Sequence, residues 1–467
     1  MTIKEFKHDM QRGLGSCVVE LKNTENAERF QSTVLWGCMR DLAYDAQSDG
    51  CRSFYLYELI KYFADPAPFI DVIEKHIYVH MRSAGWEFAQ DCELLECFAS
   101  DGDTRSWEIL KACYKKLRNI LRRKRKETEY RRSPEAENFE HICNAVLGVF
   151  YEEKERAAKL YQYFVNDMGI LIKNNPLYSA DSFSWFQAVS KTMLGEGTVS
   201  KILHEKNASE GIKQYLRSME TCRERQEQEL TERERTAPET ADEIYIRVKT
   251  EEKEMQPRFL SWTRRAMRKE KQEEVERLAQ YYKNEKNIKI RCALLKLLTN
   301  EFGAWSLEIP VLMADSDSTD AELVDSAFCA LSFQKDVRVR EYAHTLLQEG
   351  KHIAHAVSML AANYEDGDRE ILVSAVKQIP VTYENCAWHK AFSDVLHLIR
   401  GTVKHGPKEL LPYLYRNTLC SFCREDIVKE MGRRRMLTVE LLEELQYDCN
   451  QDIQVYARRK LKKSPLG

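Results

Sequence analysis

The sequence predicts an all-α chain, folded as an α-solenoid of stacked helical hairpins. Three observations carry that expectation. Glycine and proline are scarce, 18 and 11 among 467 residues, about 4% and 2% against a usual ~7% and ~5%. A strand-rich fold needs turn residues every few positions, so this argues against sandwiches and barrels. Apolar residues recur at steps of three and four through nearly every segment, the spacing of one helix face. Charged residues make up 31% of the chain, above the usual ~25%, which suits long amphipathic helices with solvated faces. An apolar content of 43% supplies a core and excludes global disorder.

The elements follow in chain order. Ser48-Asp49-Gly50 precedes a helical face of Tyr55, Leu59 and Phe63. The break at Asp65-Pro66-Ala67-Pro68 leads into a helix bearing Phe69, Ile70, Ile73 and Ile77. Ser100–Asp103 supplies cap and turn residues for a helix with Trp107, Leu110, Tyr114, Leu117 and Leu121 on one face. Residues 1–203 therefore read as a domain of helix pairs joined by short polar turns. Residues 204–258 are dense in Glu, Arg, Lys and Gln. They predict either an exposed helix laced with i,i+4 pairs or a flexible connection. The stretch Thr236-Ala237-Pro238-Glu239-Thr240 favours a break within them.

Residues 259–467 form the third region and show internal repetition. Asn287-Ile288-Lys289-Ile290-Arg291 is echoed 49 residues later by Asp336-Val337-Arg338-Val339-Arg340. Ile290, Ala293, Leu294, Leu297 and Leu298 follow the first; Val339, Tyr342, Ala343, Leu346 and Leu347 follow the second at identical offsets. A third copy starts at Asp368-Arg369, and a looser one at Asp452-Ile453-Gln454-Val455. Partner helices are expected at Glu274–Tyr282, Ile353–Asn363, Glu409–Tyr415 and Val439–Leu445. One hairpin cannot bury its apolar face alone, whereas stacked neighbours can.

The stretch from Asp336 to Ala343 resembles the second helix of a HEAT repeat, as do Asn287–Ala293 and the weaker Asp452–Val455. The resemblance implies that Asp336 caps its helix and that Arg291 and Arg340 belong to a ladder of pairs between neighbouring repeats. The segment Arg40–Phe63 is similar to uncharacterised bacterial HEAT-repeat proteins, a likeness that implies fold and transfers no activity. By the same resemblance residues 1–203 are HEAT-like hairpins and residues 259–467 a HEAT-repeat domain.

The N-terminal sequence lacks the apolar core of a secretory signal, and no run of 18 apolar residues exists. Fourteen scattered cysteines, among them Cys113, Cys143, Cys292 and Cys329 on apolar helix faces, fit reduced thiols acting as small hydrophobes. A cytoplasmic protein without membrane contact is the expectation. A net charge of -3 implies no global attraction to polyanions, so any such attraction must be local.

Lys115, Lys116, Arg118, Arg122, Arg123, Lys124 and Arg125 open the densest basic run, which reaches Arg132. Such a run can neutralise phosphates, and it can equally be a solvated helix end favoured by the helix dipole. A second cluster, Arg264, Arg265, Arg268, Lys269 and Lys271, abuts Glu270, Glu273 and Glu274 and reads as a solvated face. Arg40, Tyr44, Arg52 and Tyr55 combine residue types that dominate binding hot spots. Cys420 and Cys423 form a CxxC pair before a helix at Glu425–Met431, with no second pair or local His to complete a zinc site. His76 and His80, and His352 and His355, share helix faces without a third ligand. The acidic run Asp315, Asp317, Asp320, Glu322 fails as a calcium loop, because position six is not Gly. No phosphate loop, GxSxG elbow, HExxH or kinase signature occurs.

The sequence therefore points to a non-catalytic scaffold that binds another protein, without cofactor or metal. Binding of nucleic acid or another polyanion through residues 115–132 is the alternative. A HEAT-like fold would also allow a DNA-repair glycosylase, by resemblance to alkylpurine glycosylases, but that activity needs a broadly basic concave face.

Overall fold

A computed structural model describes the chain except residues 84, 123–133, 176–177, 236–239, 251–271, 301–302, 306, 385, 403–405 and 464–467. Among the described residues the structure is helical apart from one two-residue antiparallel pair, Thr299–Asn300 with Gly303–Ala304. The chain divides into two compact units. The first comprises Met1–Arg233, Leu419–Glu425 and Met436–Gly467; the second comprises Glu234–Thr418 and Asp426–Arg435. The last helical hairpin thus groups with the first helices, not with the array that precedes it in sequence.

The first unit runs through α1 (Ile3–Arg12), α2 (Ser16–Asn23), α3 (Gln31–Cys38), α4 (Ala46–Asp49), α5 (Ser53–Ile60), α6 (Ala67–His80), α7 (Glu87–Ser100) and α8 (Thr104–Leu121). It continues with α9 (Pro134–Gly148), α10 (Lys154–Asn174), α11 (Ser184–Leu194), α12 (Glu196–Leu203) and α13 (Glu210–Arg235). One continuous core extends from Phe6 to Tyr215. Helix starts follow local chemistry: Thr2 and Glu5 form a capping box on α1, and Asp103 accepts from the Ser106 N–H at 2.6 Å on α8. Helix ends are closed by buried carboxamides. Gln90 donates to the carbonyls of Gly37, Cys38 and Arg40 at 3.3, 3.3 and 2.8 Å. Asn138 does the same for His80, Met81 and Ser83 at 3.2, 3.1 and 3.2 Å. Each ties the end of one helix to the N-terminal part of another, satisfying carbonyls that a helix leaves orphaned.

The second unit holds α14 (Ala241–Thr250), α15 (Gln272–Asn284), α16 (Ile288–Leu298), α17 (Ile309–Ser316), α18 (Ala321–Leu331), α19 (Val337–Glu349), α20 (Ile353–Ala362), α21 (Arg369–Val376), α22 (Ala387–Gly401) and α23 (Leu411–Asn417). The unit division passes through α24 (Ser421–Arg433), which precedes α25 (Val439–Leu445) and α26 (Gln451–Lys463). Helices α15–α16, α17–α18 and α19–α20 pair as hairpins, α21 packs on α20, and α16, α18, α20 and α22 pack side by side in sequence. These four start at Ile288, Ala321, Ile353 and Ala387, steps of 33, 32 and 34 residues.

That period corrects the sequence reading. Asn287 caps α16, a second helix of a hairpin, whereas Asp336 caps α19, a first helix. The 49-residue echo therefore matches helices of opposite rank, one and a half repeats apart. The apolar offsets coincide because both helices bury one face, whatever their rank. The shorter step from Asp336 to Asp368 is in phase, since both precede first helices.

Candidate functional site

The row α16, α18, α20 and α22 carries a groove of ≈ 790 Å³ whose lining draws on all four helices or the turns that follow them. Small side chains open it: Ser326, Cys329, Ser332, Ala361, Ala362 and Ser393. Helical spacing on α18 puts Ser326 and Cys329 on one face, a turn apart. Phe333 is an apolar element in it, with the Lys390 ammonium 4.3 Å from its ring centre.

Three lysines supply charge. Lys296 ends α16 and pairs with Glu322. Lys390 pairs with Asp394 at 2.8 Å, one turn on. Lys335 is exposed and has no ion pair among the described residues. Lys335 immediately precedes the N-cap of α19, and Lys390 lies in the first turn of α22. Both occupy the positive end of a helix dipole, where a cation is disfavoured and an anion favoured. The groove offers hydroxyls, ammonium groups and an aromatic face.

The capping and pairing positions expected at Asp336, Arg340 and Arg291 all make contacts within the second unit. Asp336 accepts from the Arg338 N–H at 2.9 Å. Arg340 donates to both Asp368 oxygens at 2.9 and 2.8 Å. Arg291 meets Asp315 at 2.8 Å and also reaches the carbonyls of Tyr282, Lys283 and Glu285. The acidic run is thus divided among these roles: Asp315 receives Arg291, and Asp320 caps α18 through the Leu323 N–H at 2.9 Å.

Among the described residues of the basic run, Arg118 and Arg122 are paired within the first unit. Asp167, fully buried on α10, receives Arg118 Nε at 2.5 Å, Arg122 Nη2 at 2.8 Å and the Tyr114 hydroxyl. Lys115 and Lys116 are exposed, with Lys116 4.7 Å from the Tyr78 ring centre. Arg123, Lys124 and Arg125 lie outside the described residues, as do the remainder of that run, the second basic cluster and most of the break at 236–240.

The expected hot-spot segment divides similarly. Arg40 is exposed against Trp36, 4.9 Å from its ring centre, and Tyr44 is half-buried. Arg52 is interior: its Nη1 donates to Cys449 Sγ at 2.8 Å and its Nη2 lies 3.7 Å from Asp49. Tyr55 is interior too, its hydroxyl donating to the Leu14 carbonyl at 2.7 Å. Arg52 is drawn inward by Cys449, in the turn before α26, and Tyr55 by the Leu14 carbonyl before α2, partners that local sequence does not signal. They border a second groove of ≈ 810 Å³ rimmed by the exposed Phe54, Phe422 and Val455.

Cys423 N–H faces Cys420 Sγ at 3.5 Å. His80 is bonded to Asp91 at 2.9 Å, and His352 and His355 lie 4.7 and 4.8 Å from Phe328. Cys113, Cys143 and Cys292 are buried, and Cys329 is half-buried in the groove. Sequence reasoning missed the groove residues Ser326, Ser332, Lys335 and Lys390. No local motif marks them; the 33-residue helix period was the signal that could have aligned them.

No family model and no curated protein sequence matches the chain. Among solved structures, the crystal structure of SYS-1 aligns over 100% of this chain and 97% of that chain, at 11% identity and a TM-score of 0.26. The SYS-1/POP-1 complex aligns over 100% of both chains at 11% identity and a TM-score of 0.24. Overlap at that level does not define a shared fold. The class rests on the chain's own helices: this is an all-α helical repeat protein. No helix among the described residues is long and apolar enough to cross a membrane.

Proposed function

We propose that this protein is a non-catalytic scaffold of HEAT-type repeats, working in the cytoplasm, and that the groove along α16, α18, α20 and α22 holds an extended segment of another protein. One observation carries the reading: four alternate helices at a near-constant period contribute small, hydroxyl-bearing and basic side chains to one continuous concavity. Repeat arrays use such surfaces for extended partners. Binding of nucleic acid through residues 115–132 has weaker support, because Arg118 and Arg122 are committed to Asp167.

Affinity capture with the full chain tests the proposal, using nuclease-treated extract and a groove-blocked variant, Ser326→Trp. A stoichiometric protein that survives nuclease and is lost with Ser326→Trp supports it. Partners retained in full by Ser326→Trp, or released by nuclease, would overturn it.

A further inference from the structure

We infer that the segment held in this groove is acidic, with an apolar side chain interspersed; this rests on the scaffold reading above. The lining contains Lys296, Lys335 and Lys390 against Asp394 alone, and Glu322 at its margin is already used by Lys296. With Lys296 and Lys390 each paired, the ammonium group of Lys335 is left in surplus at the cavity. Lys335 is without an ion pair among the described residues. It stands just before the Asp336 cap of α19, and Lys390 stands in the first turn of α22, which has no side-chain cap, so the dipole of α22 adds to the positive potential there.

α18 and α19 start at capping carboxylates, Asp320 and Asp336, whereas α22 starts without a side-chain cap and carries Lys390 in its first turn. A carboxylate arriving from a partner would satisfy the same field. Carboxylates on the ligand would exchange with Asp394 and Glu322 for Lys390 and Lys296, and dock directly on Lys335. Phe333, with Lys390 beside its ring, gives an apolar side chain a place between the charges.

Length follows from the row. Four helices side by side at about 8–10 Å span roughly 25–30 Å. An extended chain at about 3.4 Å per residue crosses that in about eight or nine residues.

The test is selection of a phage-displayed library of random peptides about nine residues long on the immobilised full chain. Selected peptides are resynthesised and titrated by fluorescence anisotropy. The expected result is enrichment of Asp and Glu around one apolar or aromatic residue. Affinity should fall about tenfold or more in Lys335→Glu with Lys390→Glu, several-fold in Lys335→Gln, and steeply with salt. Binding should vanish in Ser326→Trp. Circular dichroism melting of each variant checks that the fold is kept.

Peptides that lose binding in Ser326→Trp but are neutral or basic, and indifferent to the lysine changes, would overturn the acidic occupant and leave the scaffold reading standing. Selection of nothing, or of peptides indifferent to Ser326→Trp, would overturn both.

Discussion

Burial pushes the carboxyls of Asp91 and Glu96 up to about 7 and about 8 in the first unit, and those of Asp41, Asp49 and Glu93 upward as well. In the second unit the shifted carboxyls move the other way. Arg338 holds Asp336 down at about 2, Arg369 lowers Glu409, Arg433 and Arg434 lower Glu430, and His355 lowers Asp325. For Asp368 burial opposes ionisation, but Arg340, the Glu365 N–H and His344 outweigh it. The difference reflects geometry. In the second unit a cation of the same helix meets Asp336 and Glu430, and a neighbouring helix supplies one to Asp325, Asp368 and Glu409. The first unit's helices vary in length and packing, so Asp91, Glu93 and Glu96 on α7 are enclosed before a cation can reach all of them.

The largest expected effect comes from an exception within the first unit. Arg424 and Asp448 are both fully buried and joined by two bonds at 2.8 and 2.9 Å. Arg424→Met strands a buried carboxylate and should destabilise the first unit by about 3–5 kcal/mol. Arg340→Met in the second unit leaves Asp368 with His344 and the Glu365 N–H, so about 1–2 kcal/mol is expected. Denaturant titration with hydrogen exchange resolved by unit checks both. Equal losses would break the comparison.

Second in size is the response to pH. The folded state keeps a proton on Glu96 up to about pH 8, whereas the unfolded chain releases it near 4.5. The stabilising contribution is full below the unfolded value and is lost as pH rises through about 8. Asp91 acts likewise between 3.8 and about 7. Raising pH from about 5 to about 9 should therefore weaken the first unit by roughly 2–4 kcal/mol. Glu96→Gln should remove much of that slope.

In the second unit the sign reverses. The lowered carboxyls contribute stability above their unfolded values and lose it as pH falls through their folded ones. Asp368→Asn should cost about 1–2 kcal/mol at neutral pH and little in acid. His141, pushed down to about 4 by burial, makes the first unit acid-sensitive too, so the alkaline limb separates the units more cleanly.

Legibility in the sequence differs between the units in the same way. The helical class, the helix starting after Asp103 and the hairpin partner Val439–Leu445 are local properties, set by caps and apolar spacing, and they stand in the structure as read. The phase of the repeats was not readable from the Asn287 and Asp336 echo, because cap and apolar face recur in both helices of a hairpin. Arg52 looks like a surface group until Cys449, 397 positions along the chain, meets it, and Tyr55 until its hydroxyl reaches the Leu14 carbonyl. The groove residues are individually ordinary serines, alanines and lysines; only the stacking of four helices brings them together.

The smallest expected effect divides the basic run itself. Lys115 and Lys116 point to solvent on the helix that also carries Arg118, and Arg122 caps its end. Exposed charges without buried partners contribute within about 0.5 kcal/mol. Lys115→Glu with Lys116→Glu should therefore leave the first unit's unfolding midpoint nearly unchanged. Arg118→Gln with Arg122→Gln withdraws both cations from buried Asp167 and should lower it clearly, by about 2–4 kcal/mol. If the lysine pair proved as costly as the arginine pair, stability would not distinguish the two kinds of basic residue, and the assignment of Arg118 and Arg122 to the fold would lose its basis. If neither pair mattered to stability, these arginines would be free for a ligand after all, and the polyanion reading would regain the ground that Asp167 takes from it.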